Sequence, residues 1–126
     1  MIFALLFAVV NSEACFFAVN GSRGFISSSR VKNHKYCTWI ITAPSNHTVK
    51  LRFTIFRLSG VFWDQPEIQV YDGKRKNDTV LGVFTGARQP FIIQTSGRFM
   101  MLTLKKKYSS TPCIFKGTYY TSSRKG

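Results

Sequence analysis

Few groups in this chain could do chemistry. The 126 residues include two histidines, five carboxylates and three cysteines. His34 lies in a basic run, "RVKNHKY", and His47 lies inside the triplet Asn46-His47-Thr48. Neither has a neighbouring acid to orient its ring, and neither stands near a nucleophile elbow or a Cys motif, so no catalytic constellation assembles. Cys15, Cys37 and Cys113 fit no zinc spacing, and no histidine completes one. The sequence is therefore expected to encode no enzyme and to need no cofactor.

In an oxidising compartment one cysteine pair should close. Cys15 with Cys37 is the natural choice, because it ties the first strand to the next; a loop of this size is worth about 3 kcal/mol in the chain-entropy model. Cys113 is then left over, either as a buried free thiol or as a partner for another chain or for a segment outside this sequence.

Two features point to that compartment. "MIFALLFAVV" is an apolar run followed by small residues, Ser12 and Ala14, at the spacing of a signal cleavage site before Cys15. It is shorter than the ~20 residues of a membrane span, and no later segment could span a bilayer. No Lys or Arg precedes it, so the other reading is a truncated first strand. Asn20-Gly21-Ser22, Asn46-His47-Thr48 and Asn77-Asp78-Thr79 are acceptor triplets for N-glycosylation, and all fall in predicted loops.

Charge is the strongest compositional signal. Lys and Arg number 18 against 5 acids, a net of +13. Such an excess costs self-repulsion and speeds association with polyanions. No nucleic-acid module is present, and secretion removes that partner. The remaining partners are an extracellular protein or a sulfated or acidic glycan. The competing reading is that the charge only solubilises a β-rich surface.

The elements that would position these groups are strands. The chain is 44% apolar and 15% aromatic, with twelve Phe, which suits one β-rich domain. Strands are predicted at 24–29, 37–43, 48–58, 67–73, 79–86, 90–95, 98–105 and 115–121. Ser59-Gly60, Asp72-Gly73, Thr85-Gly86 and Ser96-Gly97 supply turns at short intervals. In 48–58 the alternation puts Val49, Leu51, Phe53 and Ile55 on one side and Lys50, Arg52 and Thr54 on the other. Consecutive antiparallel strands at this spacing make a β-sandwich or barrel. Residues 1–14 read as a leader, 15–121 as the domain and 122–126 as a tail or linker.

The order of the pieces resembles the CUB family. The opening Cys15 is followed by "GFISS", "YCTWII", "VKLRF", "VYDG", "LGVFTG", "SGRFMMLTL" and "FKGTYY". The resemblance implies an antiparallel β-sandwich of jelly-roll type and a role in extracellular recognition or adhesion. It also exposes two departures. Thr85 stands where the family places a Cys, so a second disulfide is missing. Ser59, Pro66 and Lys107 stand where many members place a calcium-binding Glu and two Asp. A hard cation needs several oxygen ligands, usually including carboxylates, so calcium binding is not expected. Lys107 is instead expected to pair through its ammonium with Asp64 or Glu67.

If the strands run up and down in order, the loops at 44–47, 73–78 and 96–98 share one end. The loops at 59–66, 86–89 and 105–113 share the other. The first end carries Lys74, Arg75, Lys76 and Arg98, but also the acceptors Asn46 and Asn77, whose glycans would shield it. The second gathers Phe62, Trp63, Arg88, Lys105, Lys106, Lys107 and Tyr108, and aromatics beside cations are typical of binding hot spots. The second end is the expected binding surface. The alternative for Trp63 is that it plugs the gap left by the missing bridge. The expected function is calcium-independent protein or glycan binding, as one module of a larger secreted or cell-surface protein. The alternative is a free-standing basic glycan-binding protein similar to the spermadhesins, and a third reading is a spacer without a ligand.

Overall fold

A computed structural model describes residues 15–58 and 60–124. The expected leader (residues 1–14), the calcium position Ser59 and the end of the tail lie outside the described residues. The strands among the described residues are β1 (Phe16–Asn20), β2 (Arg23–Ser27), β3 (Tyr36–Thr42), β4 (His47–Leu58), β5 (Glu67–Tyr71), β6 (Val80–Arg88), β7 (Phe91–Gln94), β8 (Phe99–Lys105) and β9 (Ile114–Ser123). A short 3-10 turn, Ser28–Arg30, follows β2.

Two sheets face each other. The first runs β1-β3-β8-β5-β6, and the second joins β2, β9 and β4, with β7 and the end of β6 on the far side of β4. β6 belongs to both. Its first residues pair with β5, and after Thr85 the strand turns so that Gly86 to Arg88 pair with β4. Gly86 makes that corner possible with φ +70, a left-handed conformation that costs glycine little. The all-β sandwich expected from the spacing is the fold, with one exception to its antiparallel pairing. β1 runs parallel to β3. β9 also runs to Ser123, and Arg124 N–H donates to the Asn46 carbonyl at 2.8 Å, so the first part of the predicted tail is structured.

The core lies between the sheets. Trp39, Ile41, Val49, Leu51, Phe53, Phe56, Leu58, Leu102, Leu104 and Phe115 are among its buried members. The predicted alternation in β4 holds from Val49 to Phe53 and then breaks. The register against β9 shifts between Phe53 and Ile55, so Thr54 is the extra residue of a β-bulge. Beyond it Phe56 and Leu58 turn inward, while Ile55 is 42% exposed. Phe53 then meets Phe56, Phe91 and Phe115 with ring centroids 5.2, 5.1 and 6.1 Å apart. Cys15 and Cys37 form a disulfide, closing a span of 22 residues and fastening the start of β1 to β3.

The registers place the loops at two ends. At one, Ala43 N–H donates to the Arg98 carbonyl (2.7 Å), and Ser96 N–H and Oγ donate to the Asp72 carboxylate (2.9 and 2.7 Å). At the other, the Asp64 carboxylate holds residues 107–111. The two-ended layout read from the strand order holds for 44–47, 73–78 and 96–98 at one end and for 61–66 and 105–113 at the other, but not for 86–89: Gly86 to Arg88 are strand residues that turn the corner and run back along β4.

Candidate recognition surface at one end of the sandwich

The segment 61–64 folds back on itself. Val61 N–H donates to the Asp64 carbonyl at 2.8 Å, and Asp64 N–H returns to the Val61 carbonyl at 3.1 Å. Phe62 and Trp63 form the tip of this turn and cannot reach the core; they are 96% and 61% exposed. Trp63 therefore does not plug a gap.

Asp64 anchors the turn. It is only 4% exposed, and its carboxylate accepts from Lys107 N–H (2.9 Å), Tyr108 N–H (2.9 Å) and the Thr111 hydroxyl. Burial alone would raise its pKa. The Thr111 hydroxyl, the two backbone N–H groups and the nearby Lys106 ammonium more than offset this and hold it below its ordinary value. Lys106 is the second anchor. It is 8% exposed, and its ammonium donates to the carbonyls of Ser109 (2.9 Å) and Thr111 (3.0 Å). Loop 106–112 thus wraps around an internal ammonium and is fastened to an internal carboxylate.

This arrangement sorts the expected residues. Phe62, Trp63, Lys107 and Tyr108 come together, with both aromatic loops tied by Asp64, and Lys107 and Tyr108 face solvent. Lys105 is exposed at the same end, opposite Tyr36 and Glu67 on the outer side of the first sheet. Lys106 is not a surface cation. It continues the inward row Leu102, Leu104, so the alternation of "LTLKK" itself turns Lys106 inward. The expected ammonium pairing of Lys107 also fails: its backbone N–H, not its side chain, meets Asp64. Arg88 lies on the other sheet opposite Phe56, its guanidinium 5.1 Å from the Phe84 ring and 5.9 Å from Phe91.

At the opposite end the cations lie beside aromatic rings and among the acids Asp72 and Asp78. Lys74 Nζ rests 4.4 Å from the Phe99 ring centroid, and Lys76 Nζ lies 4.9 Å from that of Tyr36, the β3 residue paired with Lys105. Asp78 accepts from Arg75 N–H at 3.0 Å, and a Cβ at Gly73, where φ is +149, would collide with the Asp78 carboxylate. Asn20, Asn46 and Asn77 are all exposed at this end, Asn20 being placed there by its register with Thr42. Cys113 is half-buried beside the Lys106 loop, and burial pushes its thiol up to about 11, so little reactive thiolate forms near neutral pH.

The topology, the Cys15–Cys37 bridge and the buried Trp39 agree with the match of the CUB domain family model to residues 15–119. The chain belongs to the CUB family. Pig cubilin is 31% identical over 103 residues, which is 79% of this chain and 3% of cubilin. This CUB domain therefore spans a small fraction of that relative's length. Among solved structures, the CUB1-EGF-CUB2 region of human MASP-1/3 superposes with a TM-score of 0.69 at 19% identity, over 86% of this chain and 43% of that one. The MASP-1 CUB2 domain bound to Ca2+ gives 0.62 at 18% identity, over 82% of this chain and 96% of that one. These likenesses establish the fold. CUB domains are binding modules of extracellular or secreted proteins, and the match to the Caenorhabditis elegans zinc metalloproteinase nas-39 covers 12% of that protein.

The family's calcium provides a test of the donor set. Calcium takes six to eight oxygen ligands, several from carboxylates. Among the described residues this end holds one buried carboxylate, Asp64, whose oxygens already accept three protein hydrogen bonds. Pro66 supplies no side-chain oxygen, and the buried cation is Lys106. These residues do not fit a calcium ion.

Proposed function

We propose that this CUB domain is a calcium-independent extracellular recognition module, part of a larger secreted or cell-surface protein, which grips a protein partner with its Phe62-Trp63-Tyr108 end. One observation carries the reading. Large aromatic side chains stand in solvent on loops clamped by Asp64, so a partner can bury them without first ordering the loops. Exposed aromatics on a rigid frame are typical of hot spots, and preorganisation lowers the cost of association. Lys105 and Lys107 flank them and favour an acidic partner. Glycans on Asn20, Asn46 and Asn77 would cover the opposite end and leave this one free.

A panel of extracellular protein domains, screened with the secreted chain in EDTA, tests this. For a partner so found, Trp63→Ala and Tyr108→Ala should each weaken binding by about tenfold or more. Replacing Lys74, Arg75 and Lys76 by Ser should change it by about twofold at most. Binding that survives Trp63→Ala but is lost with the second set would place recognition at the opposite end.

A further inference from the structure

We propose that the outward face of the second sheet is a binding track for a linear sulfated polysaccharide. The proposal shares only the extracellular setting with the reading above and uses a different surface. The registers define the face in four rows. Arg23, Tyr120, Lys50 and Gln94 form the first; Phe25, Thr118, Arg52 and Ile92 the second; Ser27, Lys116 and Ile55 the third; Ile114, Arg57 and Ala87 the fourth. Five of these residues are cations. None of the strands β2, β4, β6, β7 and β9 contains an Asp or Glu.

Charge and shape together select the ligand. Lys50, Arg52, Lys116 and Arg57 occupy successive rows on the two central strands. At ~7 Å per row they form a track about 20 Å long. A compact anion would engage one or two of them, whereas a chain with anionic groups at regular intervals engages all. The charge is also uncompensated here, unlike at the 73–78 tip with its own Asp72 and Asp78. Between and beside the cations lie apolar groups, including Phe25 (71% exposed), Ile92 and Ile55. The carbon-bound hydrogen faces of sugar rings can rest on these while the sulfates meet the cations. A groove lined by Arg23, Phe25, Thr118 and Tyr120 continues the face toward the β2 edge. A single-stranded nucleic acid would need a run of stacking rings. The face offers two, and Lys50 Nζ already stands 5.7 Å from the centroid of one, Tyr120. A membrane would need apolar side chains projecting beyond the cations, but here both rise from one sheet.

The test is binding of the secreted chain to heparin, to chemically desulfated heparin, to phosphatidylserine vesicles and to single-stranded DNA. Heparin should bind, with affinity falling as salt screens the contacts. Replacing Lys50, Arg52, Arg57 and Lys116 by Gln should weaken it by about tenfold or more. Trp63→Ala, which tests the other surface, should leave it unchanged. Acetylation mapping of the unaltered protein gives an answer even if the quadruple variant folds poorly. Bound heparin should protect Lys50 and Lys116 but not Lys74 or Lys107. Equal affinity for desulfated heparin, tighter binding to vesicles or DNA, or protection at Lys74 or Lys107 in place of Lys50 and Lys116 would overturn the proposal.

Discussion

Asp64→Ala should destabilise the domain by about 3–5 kcal/mol, measured by chemical denaturation. The carboxylate is a buried acceptor for two backbone N–H groups and one hydroxyl, and alanine leaves all three donors without a partner. Stranding a buried donor costs about 1–3 kcal/mol, and the Lys106 ammonium loses a compensating charge. The pH dependence follows from the sign of the shift. Because the folded pKa lies below the unfolded one, near 3.9, the carboxylate's contribution is complete above that value. It is lost as pH falls through the folded pKa. Wild-type stability should therefore drop on acidification below about pH 4, and Asp64→Asn should lose that part of the drop. A cost below about 1 kcal/mol for the alanine variant would mean that the loops are held by something else.

Phe53→Ala should cost about 3–5 kcal/mol, because the ring is fully buried among Phe56, Phe91 and Phe115 and its loss leaves a cavity between them. Ile55→Ala is the informative companion. Unbroken alternation makes Ile55 a core residue equal to Phe53, but the bulge at Thr54 turns it outward. Its truncation should cost under about 1 kcal/mol, and Phe56→Ala should resemble Phe53→Ala. Equal costs for Ile55→Ala and Phe56→Ala would remove the bulge.

How much was legible in the sequence depends on what carries the information. Strand positions are written in local alternation and turn residues, so eight strands lie close to their predicted ranges, and the shared ends follow from their order except at 86–89, where β6 changes sheets instead of forming an end loop. The range of β1 is not legible in the sequence, because "FFAVN" is short and its parallel pairing with β3 is non-local. The bulge in β4 was hidden because Phe53-Thr54-Ile55-Phe56 allows alternation in either phase, and only pairing with β9 chooses. In the candidate site, the aromatic tip was visible as Phe62-Trp63 beside a turn. The anchors were not. Asp64 reads as one more loop acid until the fold brings residues 107–111 to it. Within "KKK", three identical side chains differ only in the direction that β8 gives them as it ends, which sends Lys106 inward and leaves Lys105 and Lys107 in water.

An internal carboxylate, Asp64, and an internal ammonium, Lys106, hold the Phe62-Trp63-Tyr108 end, and calcium should add nothing to that order. Thermal unfolding of the secreted chain in EDTA and in millimolar calcium should give the same melting temperature, because a ligand that does not bind the folded state cannot stabilise it. A melting temperature raised by calcium and restored by EDTA would contradict it.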